Sequence, residues 1–580
     1  MGKLITSKQW THGCYVKTPD KYVMVVKEKA VTIDEDTREV VSVKNRLTFD
    51  DPSLVNPKRT IYVTKPERRN HKYKKETEER KNVDLYHVED RRLIDELKAI
   101  LRIPQWQRAK LRTLCNSPYV YNADVSMEAL VRMKYNQTKK HPITHFTVGG
   151  LDIETSMLGD GQTIVISYVH ENTIFTAVLD EFMYHLVDGK RKRARRDDIY
   201  VQIRSLLGHM PDQNHVVVTT KDKKGNDVEH IYELHLEILE KEQDMILWIF
   251  DKLHINETDF VGIWNIDYDI PQLIKRLEYY GIDPVEVFSH PSVPKGLRYM
   301  RYHQDKKKTQ HIADKWHWLH STSMTQFVDM MLLYARIRKA KRKKSSYKLD
   351  AIAKEELGFG KLSIGDDDDD RPMDHPKMQR EQFPAYVAYN IQDVILLSLM
   401  EKKNHDIVAM WNLTGDSPLS DFSKQSVMLK NGYYKFALDN GRVFATTGED
   451  MTGPFDHLLG KVGGAVLRAD LCKDIGTNCI AERPDLETMI LVFASDLDYK
   501  AIYPSFKSGY GISKETKLST TVEIEDVRTG GKKNVHDIEA LYGGLANPKE
   551  NSVWIGHDFF GLPNYEEMAM LVENALTKKL

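Results

Sequence analysis

Cysteine is scarce: Cys14, Cys115, Cys472 and Cys479 are the four in a chain of 580 residues. That excludes a disulfide scaffold and fits a reducing compartment, and no C-x-x-C or His/Cys cluster has zinc spacing. Net charge is scarce too. With 84 basic against 85 acidic residues the formal charge is −1, so any surface for a polyanion has to come from local asymmetry. No apolar run approaches the roughly 18–20 residues of a membrane span, and the opening MGKLITSKQWTHG lacks the apolar core of a signal peptide. Neither membrane insertion nor secretion is expected. No internal repeat is visible, and the longest low-complexity tract is the five aspartates at 366–370.

What is present is the composition of a soluble globular protein, 41% hydrophobic and 29% charged, long enough at about 150 residues per domain for roughly three to five domains. Residues 1–144 mix β-branched stretches (KYVMVV, TIYVTK) with a highly charged segment at 65–92, which reads as an α+β amino-terminal domain. From 145 to 403 short apolar strands alternate with helical stretches, predicting a sheet flanked by helices. Residues 404–485 read as a helical linking region with a Gly463-Gly464 turn, and 486–580 open on a buried strand, ILVFASDLD. Two basic runs, 190–196 (KRKRARR) and 336–344 (RIRKAKRKK), are either solvated faces or phosphate-contacting elements.

Three stretches of the middle region carry carboxylates in suggestive places. In HFTVGGLDIETS (145–156), Leu151 and Ile153 alternate with Asp152 and Glu154. On a strand, i and i+2 share a face, so two carboxylates project together and their repulsion calls for cations or protons. An edge strand with a wet polar face would show the same pattern. In DFVGIWNIDYDIPQLIKRLE (259–278), an apolar strand, a turn over 265–269 and a helix with Pro271 in its first turn place Asp269 at the corner, as a ligand or as a cap. In QFPAYVAYNIQDVILLSLM (382–400), Pro384 starts a helix on which Tyr389 and Asp393, four apart, share a face. Such a phenol could orient a water beside a metal-holding carboxylate, or simply hydrogen-bond to it.

In combination these stretches resemble the DEDD exonucleases, in the branch bearing a tyrosine. The resemblance implies a ribonuclease H-like domain with a mixed sheet, 3′–5′ phosphodiester hydrolysis, and two divalent ions, Mg²⁺ or Mn²⁺. Asp152, Glu154, Asp269 and Asp393 would hold the metals, and Tyr389 would position the attacking water. In the replicative-polymerase branch the Asn of the second motif usually precedes its Asp by five positions, whereas Asn265 and Asp269 are four apart. Asn265 therefore departs from the pattern, and Asp267 stays open as the alternative ligand.

Residues 327–362, with SYKLDAIA after the second basic run, resemble the link between exonuclease motifs in B-family replicative DNA polymerases of large tailed bacteriophages. That implies a place near the site for Asp329 and a DNA-facing role for Lys341, Arg342 and Lys343. ILVFASDLDYKAIYPSFKSGYGISKET (490–516) resembles the family's first palm motif. By that match Asp498, rather than Asp496, binds catalytic metal, Tyr499 sits near the incoming deoxynucleotide triphosphate, and Tyr503 excludes ribonucleotides. KVGGAV, with Gly463 and Gly464, resembles the family's turn before the palm.

After Leu518 neither K-x-x-x-N-S-x-Y-G nor D-T-D-S occurs. The resemblance thus implies an α/β and α+β multidomain chain acting as the amino-terminal subunit of a split polymerase. Its expected partners are primer–template DNA, single-stranded 3′ ends and deoxynucleotide triphosphates. A second chain with fingers, remaining palm and thumb is expected too, and through it a sliding clamp. No membrane partner is expected, and the implied location is the cytoplasm, the host's if the source is viral. A stand-alone exonuclease with a vestigial palm and a non-catalytic DNA-binding scaffold are the alternatives.

Overall fold

The computed structural model describes residues 4–445, except 38, 71–74, 76, 139–145, 222–224, 308–310, 340–343 and 363–373, and beyond them the backbone of four strands. Residues 1–70 and 75–447 form one compact unit; 71–74 and 448–580 form a second. In the second, Lys517–Glu525 pairs antiparallel with Lys532–His536 on one side and Asp558–Gly561 on the other, and the latter pairs with Ser552–Ile555.

The first unit is built on a mixed seven-stranded sheet. Its strands are β1 (Val148–Thr155), β2 (Thr163–His170), β3 (Thr173–Leu179), β4 (His215–Lys221), β5 (Asp227–Leu239), β6 (Phe260–Ile263) and β7 (Gln326–Asp329), in the order β4-β5-β3-β2-β1-β6-β7. β2 runs antiparallel to both neighbours, while β6 is parallel to β1 and β7. Burial sets the composition of each strand. β2 (TIVISYVH) is buried on both faces and reads as an almost unbroken β-branched run, whereas β5 toward the edge alternates polar and apolar residues because one face is wet.

Four helices matter for the site or its frame: α1 (Glu242–Asn256), α2 (Ile266–Tyr279), α3 (Met330–Ile337) and α4 (Phe383–Asn404). α4 is buried from Phe383 to Glu401 and packs on β1 and β2. It corrects the expectation that no run is long and apolar enough to cross a membrane, since by length and composition this one is. Its apolar residues instead fill the core, as expected of a helix hydrophobic all round. Close approach depends on Gly150 in β1, where an added Cβ would lie 3.0 Å from Leu397 Cβ. Because Leu397 stands one turn beyond Asp393, this contact sets the height of the helix against the strand.

The chain amino-terminal to the sheet has its own small sheets. One joins Leu4–Lys17, Tyr22–Asp34 and Val40–Thr48; the other joins Val83–Glu89, Lys58–Thr64 and Val120–Tyr121, with helices Leu93–Ile100 and Leu111–Cys115 beside it. Later residues return to this region. Buried Arg132 lies between the rings of Trp10 and Trp411 and donates to Trp411 O at 3.0 Å and Thr414 Oγ1 at 2.9 Å. Arg442–Phe444 also pairs with Thr77–Glu79.

α4 ends at His405, whose φ of 53° turns the chain into the left-handed region. Buried Glu401 accepts the Ile407 N–H at 3.1 Å, and burial pushes its carboxyl up to about 7, with Asp406 adding repulsion. A carboxyl raised on folding contributes its stability below the unfolded value, near 4.5, and loses it as pH rises to about 7. Glu401→Gln therefore flattens the melting temperature between pH 5 and 7.5, where the parent declines. A parallel decline in both proteins, followed by thermal melts, would refute this assignment.

Candidate active site

β1 is interior, between β2 and β6, so Asp152 and Glu154 are not the wet face of an edge strand. Leu151 and Ile153 are buried while the two carboxylates are partly exposed, as the alternation predicts. Opposite them α4 presents Tyr386, Tyr389, Asn390 and Asp393, spaced i, i+3, i+4 and i+7 on one face. One carboxylate oxygen from each of Asp152, Glu154 and Asp393 lies within 4.8 Å of the others.

Neighbouring side chains fix this trio. Asn390 Nδ2 donates to Asp152 Oδ2 at 2.7 Å, and the Tyr386 hydroxyl donates to Glu154 Oε2 at 2.5 Å. Lys361 Nζ donates to Tyr389 Oη at 2.9 Å and pairs with Asp393 Oδ2. The expected alternative, a direct Tyr389–Asp393 hydrogen bond, is thus replaced by an ammonium that touches both. Tyr386 and Tyr389 stack with ring centroids 5.9 Å apart. Asp393 Oδ1 is buried and has no hydrogen-bond partner among the described residues.

Asp269 is buried in the first turn of α2, not at its cap, which is Asn265. Pro271 correspondingly falls inside the helix rather than in its first turn, where it forgoes one backbone hydrogen bond. Asp269 is not one of the three converging carboxylates, but it faces Glu154 closely enough that the Glu154 charge raises it. Asp267 points elsewhere, accepting from Tyr302 Oη at 2.6 Å and Gln304 Nε2 at 3.0 Å. Asn265 is exposed and its side chain makes no capping bond. Asp329 is buried at the end of β7, where it caps α3 through Leu332 N at 2.9 Å.

Electrostatics distinguish this place from an ordinary polar cluster. Burial, then Asp393 and Asp269, push Asp152 well above the usual carboxylate range. Glu154 is pushed up to about 7 by burial, against the stabilising Tyr386 hydrogen bond. Asp269 rises to about 8 through burial and Glu154, and Asp393 rises through burial despite Lys361. Burial works against the Lys361 charge, but Asp393 and Asp152 overcome it and hold the ammonium protonated. Four carboxyls crowd around a single lysine and are held toward their protonated forms, so a hard divalent cation would take the place of those protons. The all-oxygen donor set and the unpartnered Asp393 oxygen fit such an ion, and this acidic cluster could hold one.

Lys361, Asn390 and Tyr386 escaped the sequence reading. The last two were legible as a stripe with Tyr389 and Asp393; Lys361 carried no signal, because it comes from the loop after the helix Leu349–Leu357. Of the second basic run, the described basic residues each have a partner within the fold. Arg336 donates to Ala313 O and Ser423 O, Arg338 pairs with Asp406, Lys339 with Asp314 and Lys344 with Glu355. Lys341, Arg342, Lys343, Gly463, Gly464, Asp496, Asp498, Tyr499 and Tyr503 lie outside the described residues. Compared with known proteins, the chain matches no protein-family model and no curated protein at a significant level.

If Lys361 neutralises Asp393 as a divalent ion would, Lys361→Met lowers the melting temperature in chelator, and saturating Mn²⁺ recovers more of the loss than the same ion adds to the parent. An equal metal increment in both proteins would separate Lys361 from the carboxylates.

Proposed function

We propose that residues 145–403 form a ribonuclease H-like 3′–5′ DNA exonuclease of the DEDD type with a tyrosine, within the amino-terminal part of a B-family replicative DNA polymerase. The observation that carries this reading is the convergence of Asp152, Glu154 and Asp393 beside Tyr389, with Asp269 in electrostatic contact from a different element. A mixed sheet flanked by helices supports it as well. Asp152, Glu154, Asp393 and Asp269 would hold two Mg²⁺ or Mn²⁺ ions, which when bound supply charge stabilisation for the attacking and leaving oxygens of a phosphodiester.

The chain's own groups account for the rest. Tyr389 accepts from Lys361 and so keeps its hydroxyl proton for a water, which it orients toward the scissile phosphate. Lys361, the cation among the carboxylates, also offsets the phosphate charge that enters. Asn390 and Tyr386 keep the β1 carboxylates aimed at the centre, so that binding a nucleotide end requires little rearrangement.

The test is a 5′-labelled DNA strand, single-stranded and in a primer–template, incubated with the chain and Mg²⁺ or Mn²⁺. Stepwise shortening from the 3′ end that stops in chelator is the expected result. Intact DNA under every metal condition would overturn the proposal.

A further inference from the structure

Away from the carboxylates, the amino-terminal region carries an unexplained surface. Trp106 is 84% exposed, the largest exposure among the large hydrophobic side chains described. Burial would gain an indole of this size roughly 2 kcal/mol or more, so full exposure at a loop tip leaves a large stacking face without a partner in the fold. Along the chain, charge on this stretch is one-sided. No acidic residue occurs between Glu96 and Asp124, whereas Arg102, Arg108, Lys110 and Arg112 all do. Among the described residues Arg102, Arg108 and Lys110 are exposed and form no ion pair.

The loop is built rather than loose. Lys98, itself buried, donates from Nζ to Gln105 O at 3.2 Å; Gln105 Nε2 donates to Asp95 O at 3.2 Å, and Ile103 N donates to Lys98 O at 2.8 Å. Beside it opens a pocket of about 370 Å³. Its walls include Leu101, Ile103 and Leu114, with Arg69, Arg108 and Tyr119 supplying charge and an aromatic face. Arg69 is held in place by donating Nε to Thr64 O at 2.8 Å, with its guanidinium 5.8 Å from the Tyr119 ring centre.

We propose that loop 101–110 and this pocket form a docking surface for single-stranded DNA, the choice of DNA over RNA resting on the exonuclease reading. Trp106 stacks on one base, Arg102, Arg108 and Lys110 contact the phosphates on either side, and the pocket admits a neighbouring nucleotide between Tyr119 and the apolar wall. Aromatic faces interleaved with cations serve a strand whose bases are unpaired, because a duplex hides its base faces and leaves the indole nothing to stack on. The surface is separate from the carboxylate centre and needs no free 3′ end.

A circular single strand with an internal fluorophore tests this without involving end trimming, by anisotropy on the full chain in chelator. The parent binds the circle, and Trp106→Ala weakens binding about tenfold or more, the scale of losing one stacked base. Arg108→Ala with Lys110→Ala weakens it further and reduces the salt slope by about 1.4, two phosphate contacts on a single strand. These residues are exposed, so melting temperatures stay at the parent value. Three results each overturn the proposal: no binding of the circle by the parent, unchanged affinity in the Trp106 variant, or preference for a circular RNA or a duplex over the DNA strand.

Discussion

Replacing Asp152 and Glu154 together by alanine should reduce 3′ trimming at least about a thousandfold while leaving affinity for the circular strand intact. Both side chains contribute an oxygen to the acidic cluster, so the double substitution leaves Asp393 and Asp269 to hold ions across a gap. Metal-dependent hydrolysis depends on several kcal/mol of charge stabilisation, and each 1.36 kcal/mol lost is a tenfold drop in rate. The isosteric pair Asp152→Asn with Glu154→Gln tells charge apart from shape. It preserves volume and acceptors for Asn390 and Tyr386 but removes two of the four carboxylates whose repulsion raises their neighbours. That variant should be as inactive as the alanine pair yet melt higher than the parent in chelator, because relieved repulsion stabilises the fold. Retained trimming in either variant would remove the catalytic reading, and a lower melting temperature in the isosteric pair would refute the electrostatic one.

Asp259→Ala should be the most destabilising single substitution proposed for the described core, costing about 3–5 kcal/mol. Asp259, at the entrance to β6, is fully buried with Lys27 and Lys29, both from the strand Tyr22–Asp34. Lys27 Nζ lies 2.8 Å from Asp259 Oδ1 and donates to Glu257 O at 2.9 Å; Lys29 pairs with Oδ2, which also accepts Thr147 N at 2.9 Å. Burial lowers Lys27 to about 8 even with Asp259 beside it. Without the carboxylate two ammonium groups would remain buried, so they must lose protons or drag water inside. Lysine pairing in turn holds Asp259 down at about 2 although burial opposes it, so this contribution is present above pH 4 and fades as pH falls toward 2. Thermal melts at pH 7 should show a drop of roughly three to six degrees for Asp259→Ala, partly recovered by adding Lys27→Met and Lys29→Met. A shift within one degree would show that the three groups do not bind the amino-terminal sheet to β6 energetically.

Much of the site's skeleton was legible because it rests on local periodicity. The L-D-I-E alternation fixed which residues of β1 are buried, and Tyr389 and Asp393 four apart had to share a face of α4. Where reading from sequence went astray, the cause was also local. The local pattern places Asp269 at the strand-to-helix corner, as a ligand or as a cap, and Pro271 in the first turn, but the helix begins at Ile266, earlier than the proline suggests. In the stretch 336–344, Arg336, Arg338, Lys339 and Lys344 reach acceptors on four different segments, a dispersal that adjacency in sequence conceals.

By itself the sequence determined the alternation of β1, the helical stripe of α4, the strand and helix carrying Asp269, and the scarcity of cysteine that turns attention to carboxylates. Tertiary structure alone decided that β1 is interior, that Gly150 lets α4 come close enough for its Asp393 to meet Asp152 and Glu154, and that Lys361 is the cation among them. The physical reason is range. Periodicity specifies which way a side chain points within one element, whereas bringing like charges together from residues more than two hundred positions apart requires the packing of whole elements to supply the energy that their repulsion opposes.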